Sequence, residues 1–220
     1  MKIICVIPAW NEEKSIGIVT AEVKKYVDEV VVVDDGSTDQ TAARAAAKQV
    51  TVLQHIINRG QGAALQTGND YALRQDADII VHFDADGQFS APEIQEVIQP
   101  IIKGECEIVL GSRFLSKQTA MPLTKKYILL PLARLINRLF FKVKLTDPQS
   151  GFRALNRRVA EIIEIEQASW AHCSEILAKI VAAKIEYKEV PITVSYIKFG
   201  RNLSSGLGII KDLIMAKFIK

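Results

Sequence analysis

The residues best suited to chemistry stand where a short apolar run, Ile79-Ile80-Val81-His82-Phe83, stops abruptly in Asp84-Ala85-Asp86-Gly87-Gln88. Carboxylates at alternate positions share one side of an extended chain, and a turn at Gly87 lets both converge on one point. Two carboxylates with few other ligands suit a hard cation, Mg²⁺ or Mn²⁺, which keeps several waters and is completed by substrate phosphates. A D-x-D triplet on its own is more often a solvated turn, so its meaning depends on the elements that position it.

Those elements alternate. Apolar strands are predicted at Lys2–Pro8, Glu29–Val33, Val50–Gln54, Ile79–Phe83 and Cys106–Leu110. Helices are predicted between them: one opened by Asn11 as cap, with apolar positions at Ile16, Val19, Val23 and Val27, one over Thr41–Lys48, one reaching Leu73, and one from Pro92 to Lys103. Five strand–helix alternations in 112 residues imply an α/β fold: a mostly parallel sheet, right-handed crossovers and helices on both faces. Ligands of such sheets collect at the carboxyl ends of the strands. Here those ends carry Pro8-Ala9-Trp10-Asn11-Glu12, Asp34-Asp35-Gly36-Ser37, Asn58-Arg59-Gly60, the D-x-D stretch and Gly111-Ser112-Arg113. Neither the dinucleotide fingerprint G-x-G-x-x-G after the first strand nor a P-loop is present. Asn58-Arg59-Gly60-Gln61-Gly62 at a helix start could instead hold a phosphate or allow close approach of a ligand. Helices at 157–165 and 173–184, a strand at 185–196 interrupted by Pro191, and a C-terminal amphipathic helical extension over Leu207–Ile219 complete the pattern.

With 49% apolar and 24% charged residues, the 220-residue chain reads as one globular domain, 1–112 forming one half and 113–220 the other. The net charge of +3 hides a division. Residues 1–107 hold 9 basic and 17 acidic side chains, a balance of −8, whereas 108–220 hold 19 and 8, a balance of +11. Between Glu107 and Asp147 there is no acidic residue, while Arg113, Lys117, Lys125, Lys126, Arg134, Arg138, Lys142 and Lys144 all fall there. Such a block meets anions: nucleic acid, anionic lipid or a phosphorylated substrate. Without interleaved aromatics or a reading motif, nucleic acid is the weakest of these. From Ile128 to Val143 apolar residues recur at helical spacing with Arg134, Arg138 and Lys142 on another face, a basic amphipathic helix at 127–145 that suits either the domain core or a membrane interface. No run is long enough to span a membrane and none reads as a signal peptide, so a cytoplasmic location is expected. Cys5, Cys106 and Cys173 sit among apolar neighbours as reduced thiols, and His82 lies inside a strand as a core residue; His55 and His172 carry no functional signal.

Taken in order, six segments resemble the family 2 glycosyltransferases of the GT-A fold, in particular the polyprenyl-phosphate sugar transferases related to dolichol-phosphate mannose synthase. They are Ile7-Pro8-Ala9-Trp10-Asn11-Glu12, Val33-Asp34-Asp35-Gly36-Ser37-Thr38-Asp39, Asn58-x-Gly60-x-Gly62, Asp84-Ala85-Asp86-Gly87-Gln88, Gly111-Ser112-Arg113 and Thr146-Asp147-Pro148-Gln149-Ser150-Gly151-Phe152-Arg153. The resemblance implies a nucleotide pocket lined by Pro8, Ala9, Asn11, Glu12, Asp34, Asp35, Gly60, Asp84 and Ala85, with Glu12 and Asp35 near base and ribose. It implies a cation held by Asp84, Asp86 and Gln88, a phosphate contact from Arg113, and Gln149, Ser150 and Arg153 beside the acceptor. Asp86, Arg113 and Asp147 are the expected catalytic residues; Lys125, Lys198 and Arg201 are further candidates for phosphate contacts. The segment after Ser195 departs from the family's usual Gly-x-Ser-Lys, which leaves Lys198 and Arg201 as alternatives for the diphosphate. The implied activity is metal-dependent, inverting transfer from a nucleoside-diphosphate sugar to a polyprenyl phosphate, by a protein peripherally associated with the cytosolic face of a membrane. A phosphate acceptor is already anionic, but a hydroxyl acceptor of a soluble relative would need a base, for which Asp147 is the candidate. A non-catalytic sugar-nucleotide-binding protein would have no use for the metal pair. Donor base, sugar, lipid length and oligomeric state are not encoded in these motifs.

Overall fold

The computed structural model describes residues 1–115, 145–168 and 171–195. Lys125, Lys198, Arg201, the predicted basic helix up to residue 144 and the amphipathic stretch at 207–219 lie outside them. Among the described residues seven strands form one sheet: β1 Ile3–Ala9, β2 Glu29–Asp34, β3 Thr51–Gln54, β4 Ile79–His82, β5 Ile108–Ser112, β6 Arg153–Asn156 and β7 Tyr187–Pro191, in the order β3-β2-β1-β4-β6-β5-β7. Strands β1 to β4 pair in parallel, as do β5 and β7. Between these groups β6 runs antiparallel to both its neighbours. The helices are α1 Ile16–Val23, α2 Thr41–Ala46, α3 Gln61–Arg74, α4 Ile94–Ile102 after a 3-10 turn at Ala91–Glu93, α5 Arg157–Ile162 and α6 His172–Ala182.

The valine run of β2 is buried on both faces because each face of the sheet has its own core. Alternation along the strands sends Cys5, Ile7, Val30, Val32, Ile79 and Val81 toward α1 and α4, and Ile4, Val6, Val31, Val33, Ile80 and Leu155 toward α3, α5 and α6. Helix α3 lies directly on β1: a Cβ at Gly68 would stand 2.1 Å from Val6 Cγ1.

Two local expectations are corrected. Asn11 does not cap α1, which starts at Ile16 after Ser15 and ends before Val27. Asn11 instead takes φ 54°, and its side chain is drawn to the next loop. The second correction is β6, a strand absent from the elements predicted from the sequence. Four residues beginning with an arginine carry no period to read, yet the register His82↔Arg153 and Leu110↔Arg153 threads them between β4 and β5. As a result the chain from Thr146 to Phe152 enters the sheet at the same edge where β4 and β5 end.

Candidate active site

The carboxyl ends of β1, β2, β4 and β5 form one rim. At β1, Pro8 and Ala9 are buried and the Ala9 carbonyl accepts the Asp35 N–H at 2.8 Å. The next turn is tied to the loop after β2: Asn11 Oδ1 accepts the Thr38 N–H at 2.9 Å, the Asn11 N–H donates to Ser37 Oγ at 2.9 Å, and the Glu12 N–H donates to Thr41 Oγ1 at 2.8 Å. The Glu12 carboxylate accepts from Ser15 Oγ at 2.9 Å. Trp10, which the motif reading passed over as a site residue, is 51% exposed on this rim.

Asp34 and Asp35 are both buried. Asp34 accepts from the Ser37 N–H and from Gln54 Nε2, so it fixes its own turn and the end of β3. Asp35 accepts from the Arg59 N–H at 2.8 Å, the Gly60 N–H at 2.7 Å and His55 Nδ1 at 2.7 Å, and His55 Nε2 is within 3.0 Å of Thr67 Oγ1. One carboxylate thereby shapes the whole loop before α3. His55 had no signal in the sequence because its partner lies 20 residues away, at the end of the neighbouring strand.

The glycines of that loop make room for protein. A Cβ at Gly60 would lie 2.3 Å from the Ala168 carbonyl oxygen and one at Gly62 would lie 2.0 Å from that of Gln167. The Gly62 N–H donates to Ala168 at 2.9 Å, so a donor of the α3 N-terminus is met by the chain itself. The sequence suggested that this loop could hold a phosphate or allow close approach of a ligand; the close approach seen is that of the protein's own backbone. Glu175 holds the approaching segment by accepting the N–H groups of Glu166 and Gln167.

The D-x-D stretch leaves the sheet after His82. Gly87, at φ 74°, makes the turn, and the Gln88 N–H donates to Asp86 Oδ1 at 3.0 Å while the Gln88 carbonyl accepts from Ser195. Asp84 is partly buried, accepts from Gln61 Nε2 at 3.2 Å, and faces Gly151, which stands opposite it where the β4–β6 register would continue. A Cβ at Gly151 would be 2.7 Å from each Asp84 carboxylate oxygen. Burial first, and then the like charge of Asp86, push the Asp84 carboxyl up to about 7. An added cation would relieve that repulsion. Asp84, Asp86 and the Gln88 amide offer only oxygen donors, and among the described residues no group of three or more His, Cys, Asp or Glu side chains forms a closed cage. The donor set fits Mg²⁺ or Mn²⁺ with positions left for water and phosphate.

At the end of β5, Arg113 forms a bidentate pair with Asp147: Nε to Oδ2 at 2.6 Å and Nη2 to Oδ1 at 2.7 Å, with the Arg113 N–H donating to Oδ2 at 3.0 Å. The Asp147 side chain is 1% exposed. Both Asp147 oxygens are thus engaged by Arg113, where the sequence offered Asp147 as a base for a hydroxyl acceptor. Glu189 on β7 fixes the same turn, accepting from Thr146 N–H and Oγ1 and from the Asp147 N–H. Further along, Gln149 donates to Ser174 Oγ at 3.4 Å and Ser150 is buried. Arg153 is 2% exposed and bonds to the Ser150 carbonyl and Cys173 Sγ, so it lies beneath the rim and not on an acceptor-facing surface. Its place in a sheet strand between His82 and Leu110 is the reason.

A largely parallel sheet with an inserted antiparallel strand and a carboxylate pair at its carboxyl rim defines the GT-A glycosyltransferase fold. The chain superposes over its full length on 80% of glucosyl-3-phosphoglycerate synthase from Mycobacterium tuberculosis, solved with Mg²⁺ and uridine diphosphate, with a TM-score of 0.76 at 21% identity. Residues 4–163 match the model of Glycosyl transferase family 2, and the chain belongs to that family: it is a glycosyltransferase. It is 35% identical over 241 residues to the UDP-N-acetylglucosamine–dolichyl-phosphate N-acetylglucosaminyltransferase of Methanococcus voltae, covering 98% of this chain and 96% of the relative. It is 28% identical over 216 residues to polyprenol monophosphomannose synthase of Mycolicibacterium smegmatis, covering 93% and 81%. No helix among the described residues is long and apolar enough to cross a membrane.

Proposed function

We propose that this protein transfers a sugar from a nucleoside diphosphate to a polyprenyl phosphate, with a divalent cation, at a membrane surface. The packing of Gly151 against Asp84, where an added Cβ would lie 2.7 Å from both carboxylate oxygens, carries the reading: it supports one shared site for the carboxylates that follow β4 and the segment 147–153. The relatives from Methanococcus and Mycolicibacterium, whose names specify dolichyl or polyprenyl acceptors, support the lipid half.

In this reading Pro8, Ala9, Asn11 and Glu12 line the nucleotide pocket, with the exposed Trp10 ring offering an apolar face beside it. Asp34 and Asp35 shape its floor by holding the loops 36–38 and 55–60. Asp84, Asp86 and Gln88 would hold the cation, which supplies Lewis-acid stabilisation to the departing diphosphate. Arg113, its guanidinium plane fixed by Asp147, presents a positive charge near the same phosphates. An acceptor phosphate oxygen forms the new bond to the anomeric carbon as the bond to the diphosphate oxygen breaks on the opposite side. The engagement of Asp147 by Arg113 favours an acceptor that is already an anion, because no base is then required.

The test presents a panel of UDP- and GDP-sugars, with Mg²⁺ or Mn²⁺, to undecaprenyl phosphate, dolichyl phosphate and soluble saccharides in parallel. Label in the lipid extract, released by mild acid, is the expected product. Label confined to the soluble saccharides would overturn the lipid acceptor.

A further inference from the structure

Arginine is charged at any pH a protein meets, and a buried charge is tolerated only when paired. Arg153 is 2% exposed; its charge acts on the Asp84 carboxylate, yet among the described residues no carboxylate bonds to it, and its Nε and Nη1 atoms have no hydrogen-bond partner. Its Nη2 donates to the Ser150 carbonyl at 2.7 Å and to Cys173 Sγ at 3.3 Å. Sγ is therefore the one ionisable atom in bonding reach of the guanidinium among the described residues. It also lies 3.4 Å from His172 Nε2 and sits in the first turn of the 11-residue helix α6, where the helix dipole favours negative charge.

We propose that Cys173 is a buried thiolate, the counter-ion of Arg153, and that this pair latches α6 to the segment carrying Ser150 and Gly151 beneath the Asp84 carboxylate. Arg153 joins β6 to α6 through it, and the Gln149–Ser174 bond runs parallel one residue along. The charged and titratable groups around the sulfur are Arg153 from β6, His172 from α6 and Asp84 at the end of β4, with His82 on β4 facing Arg153 and His172. Burial pushes the Cys173 thiol up, but the Arg153 and His172 charges outweigh it and bring it down to about 6. The other two thiols show the contrast: burial raises Cys5, and raises Cys106 to about 11. Cys173 acts through Arg153 and is a positioning residue.

The decisive experiment follows the ultraviolet thiolate band of the folded, full-length protein as pH is lowered from 8 to 5. One thiol equivalent should be ionised at neutral pH and titrate with a midpoint near 6, the band should vanish in Cys173→Ser, and the midpoint should rise in Arg153→Gln. In thermal unfolding Cys173→Asp, which keeps an anion opposite Arg153, should lie closer to wild type than Cys173→Ala. Absence of a neutral-pH thiolate in wild type, or a band that survives Cys173→Ser, would overturn the proposal. The wild-type titration decides the matter even if the Arg153 variant does not fold. It uses neither donor nor acceptor, so it is independent of the transfer reaction proposed above.

Discussion

Replacing Gly151 by Ala separates the metal site from the fold. The new Cβ would stand 2.7 Å from both oxygens of Asp84, against 3.4 Å for ordinary contact, so the carboxylate must retreat by about 0.7 Å. What yields is the tip of a side chain. Gly151 is also not among the positive-φ positions, so alanine meets no backbone strain, and the reduced freedom of the unfolded chain offsets the contact by about 0.4–1 kcal/mol. Thermal stability should thus stay within about 1 kcal/mol of wild type. Turnover should not, because Mg²⁺ demands near-ideal geometry and a misplacement on the order of 1 Å can cost about 10²-fold. We expect a loss of about 10- to 10²-fold and a raised metal requirement, read by metal-titrated transfer beside a melting curve. Gly68→Ala provides the control: its Cβ would meet Val6 Cγ1 at 2.1 Å and Cγ2 at 3.0 Å inside the core, so stability should fall by about 3 kcal/mol or more. A Gly151→Ala enzyme with wild-type rate and wild-type metal dependence would refute the placement of the cation on Asp84.

Other outcomes follow from the same geometry. Arg113→Ala leaves the 1%-exposed Asp147 carboxylate without its bidentate partner and should cost about 3–5 kcal/mol in denaturant unfolding, whereas a purely phosphate-binding arginine would leave stability unchanged. Asp84 is raised in the metal-free fold, so its protonated form contributes stability that is present at low pH and lost as pH rises through about 7. A cation needs the ionised form, so at pH 6 its binding should release close to one proton, at pH 8 almost none, and affinity should weaken roughly tenfold per unit below 7. Calorimetry in buffers of different ionisation enthalpy reads this directly. Asp35→Ala removes the acceptor of the Arg59 and Gly60 amides, and hydrogen exchange at those two sites should accelerate together while the β1 and β2 amides stay protected.

The alternating strands and helices of the first 112 residues were legible because each buried strand is a continuous valine or isoleucine run and each rim begins at its end. The D-x-D pair stands at the end of such a run, whereas the 146–153 segment was picked out only by its resemblance to the family. What stayed hidden depends on contacts between distant residues. Strand β6 has no period of its own and exists because β4 and β5 leave a slot between them. Gly60 and Gly62 look like ligand-approach glycines, but the backbone they admit belongs to Gln167 and Ala168, about a hundred residues on. Asp147 and Arg113 were each assigned a separate task, and 34 residues of intervening sequence gave no sign that they are one pair. His55 and Cys173 likewise acquire their roles only through Asp35 and Arg153.

The most direct test of the account is sugar incorporation into polyprenyl phosphate before chelation, after EDTA, and after return of Mg²⁺ or Mn²⁺, run beside Asp84→Asn and Asp86→Asn. Incorporation that disappears with the chelator, returns with the metal and is absent from both folded variants is the predicted result. Transfer that continues at an undiminished rate in EDTA, or in both variants, would contradict it.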